Sequence, residues 1–147
     1  MDLHDYDFRD VPALMNQIAA QHEFHDGDAL LALVYDPHGE QRLVAVEELP
    51  VSSYLVMHDG VSEILHDTMQ QLPIPPRDER GIRFRTLTVL VRRGLTVFGP
   101  YESQWMLAWR YSNHLQDALT SDIALVTEHG WNEFVSDEAG REPRLAA

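Results

Sequence analysis

The chain has 147 residues, with 24 acidic and 11 basic side chains, a formal net charge of −13 and no cysteine. A chain of this length is expected to form a single domain spanning 1–147 and to bury roughly 68–70% of its unfolded surface, so it can fold without staples. The missing cysteine excludes disulfides, thiolate nucleophiles and cysteine-based zinc sites, and the acidic balance excludes a sequence-independent grip on nucleic acid.

All 11 basic residues are arginine, and seven of them lie between Arg77 and Arg110. This is a local cationic zone in an acidic protein. The absence of lysine removes Schiff-base chemistry. The start, Met1-Asp2-Leu3-His4-Asp5, has no basic or apolar leader character, and no apolar run reaches the roughly 18 residues of a membrane span. A soluble, cytoplasmic protein with no membrane or nucleic-acid partner is expected.

In chain order, residues 1–10 are polar and read as a loose tail. Asp10 can cap a helix with Pro12 in its first turn and Leu14, Met15, Ile18 and Ala19 at helical spacing to about His22. The apolar run from Ala29 to Tyr35 suits a strand covered on both faces, and Arg42 to Glu47 returns as its hairpin partner across Asp36-Pro37-His38-Gly39. The segment from about Ser53 to Leu72 predicts an amphipathic helix in at least its second half. Three prolines in Leu72-Pro73-Ile74-Pro75-Pro76 make a surface connection. Phe84 to Val91 is a strong strand, Arg92-Arg93-Gly94 a turn, and Leu95 to Phe98 leads into a helix opening at Gly99-Pro100 with Glu102 in its first turn. Asp122 to Thr127 predicts another strand and Trp131 to Val135 a short last one, with 136–147 a second loose tail.

The order α-β-β-α-β-α-β-(β) predicts a three-layer α/β fold with a mixed sheet. This order, the apolar strand Leu30 to Tyr35, the partner Leu43 to Glu48 ending in acid, and Ser103 near a helix start resemble the JAB/MPN metalloprotease domains, including RadC-like members, of cytidine-deaminase-like architecture. On that pattern Glu47 or Glu48 stands in the region of the family's catalytic glutamate and Ser103 in that of its helix-start serine. The ligand positions depart from it: Arg92-Arg93-Gly94-Leu95 stands where the two histidines belong, and Met106 where the aspartate belongs. Guanidinium cannot bind zinc. The resemblance therefore implies a version of the fold without metal, cofactor or metalloprotease chemistry.

Four groups are candidates for function. Arg92 and Arg93, with Ser103, lie at the carboxyl end of a strand just before a helix start, where an anion could bind; the structural alternative is a solvated turn paired with acids. Trp109 to His114 concentrates polar and aromatic groups, with Arg110 and His114 four apart; a core helix would look the same. His22, Glu23, His25, Asp26 and Asp28 could be read as a metal cluster, but Asp26-Gly27 ends the helix there. Glu47 and Glu48 could supply a general base, only one of them to any given pocket. No nucleophile elbow, P-loop or dinucleotide loop is present. Two readings follow: a non-catalytic module that binds a protein partner or small anionic ligand near Arg92, Arg93 and Ser103, and, alternatively, a metal-free hydrolase using Glu48 with Arg93 or His114 and Arg110 in the same pocket.

Overall fold

Asp10 starts the first helix as its sequence predicts. In the computed structural model, which describes residues 8, 10–35, 41–50, 63–64, 67–68, 70–71, 84–112 and 120–146, its carboxylate accepts the backbone N–H of Ala13 at 3.0 Å, satisfying one donor that the helix leaves free. Helix α1 runs Val11–Gln21 and buries Val11, Leu14, Met15 and Ile18. Strand β1 (Ala29–Tyr35) is buried along nearly its whole length, while β2 (Arg42–Glu48) is largely exposed. Strand β3 spans Phe84–Val91, helix α2 Pro100–Ser112, β4 Thr120–Thr127, β5 Gly130–Glu133 and β6 Ala139–Gly140.

The strands form one mixed sheet in the order β2-β1-β3-β4-β5-β6. β1 is antiparallel to both β2 and β3, and β3 and β4, joined through α2, are parallel. The two helices lie on opposite faces, and β1 shows why: its alternate residues Leu30, Ala32 and Val34 join the core under α1, while Leu31 and Leu33 join the core under α2 with Trp105, Ala108 and Trp109. A strand alternates its side chains between faces, so a continuous apolar run is what a sheet covered on both sides requires.

Residues 63–64, 67–68 and 70–71 are helical, and Ile64 packs against the core beneath α2. The rest of the helix expected from Ser53 to Leu72, the proline connection, the hairpin turn and the N-terminal residues 1–7 lie outside the described residues. The C-terminal segment differs from the loose tail expected for 136–147. Residues 139–140 add β6 to the sheet, Leu145 is buried and its N–H donates to the Thr127 carbonyl at 2.9 Å, and the Trp131 indole donates to the Glu142 carbonyl at 2.9 Å. Tertiary bonds, not local propensity, order this segment. Gly130 permits it: its φ is +130°, and a Cβ there would meet the Gly140 carbonyl oxygen at 2.1 Å.

Candidate functional site

The sheet register brings one set of strand ends together. Val91 N–H donates to Asp28 O and Gly27 N–H to Val91 O, Leu49 N–H donates to Ala29 O, and Arg92 N–H donates to Val126 O. The start of β1 and the carboxyl ends of β2, β3 and β4 therefore share an end, the end of an α/β sheet at which ligands gather. The arginine turn sits there.

Arg92 does not face outward. Its Nε donates to Glu102 Oε1 at 2.5 Å, Nη1 to the carbonyls of Arg93 and Leu95 at 3.3 and 3.2 Å, and Nη2 to the carbonyl of Val97 at 2.8 Å. Glu102 is only 1% exposed, so the pair is partly buried and charge-assisted. The second carboxylate oxygen of Glu102 accepts the Gly99 N–H at 2.9 Å. This is the reach-back half of a capping box, made by the third residue of α2. One guanidinium thus ties the loop 93–97 to the start of the helix.

Gly94, with φ +118°, donates its N–H to both oxygens of Glu128, at 3.0 and 3.2 Å. The Glu128 carboxyl is held below its ordinary range by its own backbone N–H, then by that of Gly94, with smaller help from His129 and Arg93. Both donors that could have received an anion, the Arg92 fork and the Gly94 N–H, already hold carboxylates of the chain itself. Ser103 Oγ donates back to the Gly99 carbonyl at 3.0 Å. Arg93 is exposed and donates to the Ala146 carbonyl at 3.2 Å. Arg92, Arg93 and Ser103 are neighbours in the fold but do not converge on a common point.

Besides Arg93, the loop displays two aliphatic side chains outward. From Arg92 to Phe98 exposure alternates strictly, with 93, 95 and 97 exposed and 92, 94, 96 and 98 half-buried. The inner residues are anchored: Thr96 Oγ1 bonds Thr127 Oγ1 at 2.6 Å, and the Phe98 ring meets Phe134 edge-on at 5.1 Å. The outer ones are not covered by any described residue, leaving Leu95 74% and Val97 64% exposed, next to Phe134 at 44% and Val135 at 56%. These four are among the most exposed large apolar side chains of the described residues, and the Phe98–Phe134 contact links the two segments.

Glu48, the last residue of β2, stands at the same end of the sheet but on the α1 face. It pairs with Leu30, whose side chain is on the α1 face, and its carboxylate stands 3.7 Å from His22 Nε2. Glu47 pairs with Leu31 and faces the other way. Arg110 belongs to α2; its side chain and His114, the other members of the pocket expected with Glu48, lie outside the described residues. The His25 ring nitrogens face Asp28 at 3.4 Å and Glu23 at 3.7 Å, and among the described residues no three His, Cys, Asp or Glu side chains could hold a metal ion. An open depression of about 450 Å³ between α1 and β2 is lined by Gln17, Gln21, Gln41, Arg42 and Leu43. It holds no acid or nucleophile, and the Gln41 amide is committed to the backbone of Asp10.

No protein-family model matches the chain, and searches of curated proteins and of solved structures found no significant match. No helix among the described residues is long and apolar enough to cross a membrane.

The strand-end position of the arginine turn was legible in the sequence, but the Glu128 contact, the Glu102–Arg92 pair and the Leu95–Val97 display were not. The acid in the first turn of α2 was visible. Its burial against a guanidinium ten residues earlier had no periodic signature.

Proposed function

We propose that this chain is a non-catalytic binding module that docks a protein partner on the surface formed by Leu95, Val97, Phe134 and Val135. One observation carries the reading: Arg92 commits its donors to Glu102 and three loop carbonyls, and so holds in place a loop that displays Leu95 and Val97 beside the exposed Arg93. Exposed apolar clusters mark interaction surfaces, and a loop ordered in advance lowers the entropic cost of binding. A small anionic ligand is the weaker choice, because Glu102 and Glu128 already occupy the anion-seeking groups. A partner with an apolar centre and a cationic rim suits a chain with a net charge of −13.

The JAB-like, cytidine-deaminase-like architecture is part of this proposal. The β1–β2 hairpin at one end of the sheet and the parallel β3–α2–β4 unit support it. A cytoplasmic location is proposed with it, on the absence of cysteine. The hydrolase alternative has less support, because the Glu48 carboxylate stands 3.7 Å from His22 Nε2 on the α1 face and Arg93 donates to the Ala146 carbonyl.

The test is a comparison of proteins retained from cell extract by the parent chain and by a Leu95→Asp/Val97→Asp variant with unchanged circular dichroism. The reading expects a partner retained by the parent and lost from the variant, with no thermal shift of the parent in phosphate, nucleotides or sugar phosphates. A saturable phosphate-dependent shift, abolished in Arg92→Ala/Arg93→Ala, would favour the anion site instead.

A further inference from the structure

The β5–β6 turn that carries Phe134 and Val135 is closed by a carboxyl group with almost no access to water. Glu133 is 1% exposed, and its Oε2 accepts the hydroxyl of Ser136. The Ser136 oxygen in turn accepts the Glu138 N–H at 3.2 Å, and Glu133 N–H donates to the Glu138 carbonyl at 2.8 Å. Phe134 N–H donates to Ile123 O at 2.9 Å, and Val135 N–H donates to Asp122 Oδ1 at 3.3 Å. The two exposed apolar residues are therefore presented by a short ring of bonds whose closing member is the Glu133 carboxyl.

We propose that Glu133 is a pH-dependent clasp that sets how this turn presents Phe134 and Val135. The clasp rests on the docking reading above for its biological use, but not for its chemistry. Among the described residues, the ionisable groups of β4, of β5 and of the β5–β6 turn are acids, while Arg141 and Arg144 beyond β6 are exposed. Asp122 is buried on β4, the neighbouring strand, and Asp137 and Glu138 lie in the turn itself. Helix α1, on the same face, has no ionisable residue between Val11 and Gln21. Arg85 stands beyond β4 on β3, which pairs with β4 and not with β5. Among the described residues no cation forms an ion pair with Glu133.

A protonated carboxyl can remain in such a place, whereas a carboxylate without a cation must be hydrated or expelled. Burial raises the Glu133 pKa, the Ser136 hydroxyl and the N–H groups of Ser136 and Val135 pull it down, and Glu138 adds to the rise. On ionisation the carboxylate keeps the Ser136 hydroxyl but draws in water to complete its solvation, and the turn bearing Phe134 and Val135 opens to admit it. The apolar surface is then defined below the transition and frayed above it.

Backbone amide NMR shifts and amide exchange of Phe134, Val135, Ser136 and Glu138, followed over about pH 4 to 8, test this without any partner. A shared transition above the ordinary glutamate range is expected, with faster Phe134 and Val135 exchange above it. Glu133→Gln should remove that transition. Ser136→Ala, at an exposed position that leaves the core intact, should move it to still higher pH, because the carboxylate loses a donor. Amides that titrate only in the ordinary carboxylate range, or a midpoint unmoved by Ser136→Ala, would overturn the clasp. If the transition is found but the Leu95→Asp/Val97→Asp variant keeps every partner, the docking surface fails and the clasp stands; the reverse pair of results rejects the clasp alone.

Discussion

Arg92 sets the shape of the β3–α2 loop, and its removal should be costly for a specific reason. Glu102 would keep only the Gly99 N–H and become a buried charge without its counter-ion. Breaking a buried pair from one side costs about 3–5 kcal/mol. Because the Arg92 side chain keeps 24% exposure, Arg92→Ala is expected in the lower part of that range by urea unfolding. Arg92→Met with Glu102→Met should recover much of the loss, since an apolar pair leaves no stranded charge. The two indoles of α2 offer a cleaner comparison. Trp109 Nε1 donates to Thr88 Oγ1 at 2.6 Å, while the buried Trp105 Nε1 has no partner among the described residues. Both Trp→Phe changes remove a similar volume, but only Trp109→Phe strands a buried hydroxyl. It should be the more destabilising by about 1–3 kcal/mol in the same unfolding assay.

Among the elements, the ones legible in the sequence were those whose signal is local. Ala29 to Tyr35 is an uninterrupted apolar run and Phe84 to Val91 a run rich in aliphatic and β-branched residues, and both strands begin and end there. Asp10 and Pro12 marked the start of α1 for the same reason. The C-terminal segment was not legible, because Leu145 is an isolated apolar residue with no repeat around it, and its order comes from the Thr127 carbonyl and the core below. Leu145→Ala should therefore cost about 2–5 kcal/mol, the range for a buried leucine, with the loss read as a lower urea midpoint at unchanged slope. The arginine turn was found by its place at a strand end. That Arg92 would turn inward and leave Leu95 and Val97 outside depends on Glu102, Thr127 and Phe134, partners 10 to 36 residues away from the loop residues they hold, and no short window of sequence contains them.

For the molecule as a whole, two carboxyls shape opposite limbs of the stability curve. Glu128 has a depressed pKa, so its contribution is present above the ordinary glutamate value and is lost as pH falls through the folded one. Glu133 has a raised pKa, so its contribution is full below the ordinary value and is lost as pH rises through the folded one. Both contributions are best retained in the mildly acidic range between these losses. Thermal unfolding against pH should show Glu128→Gln flattening the acid limb relative to the parent and Glu133→Gln flattening the limb toward neutrality. Self-repulsion at a net charge of −13 adds to the second limb in all three proteins and is reduced by salt, so the differences from the parent isolate each group.

Docking through the loop that Arg92 holds is tested most directly by placing a photo-crosslinking amino acid at Leu95, at Val97 and, as a control, at the exposed Asn16 of α1. Irradiation in cells should give the same discrete adduct from positions 95 and 97 and none from 16. No adduct from either loop position, or an equal adduct from all three, would contradict the binding surface.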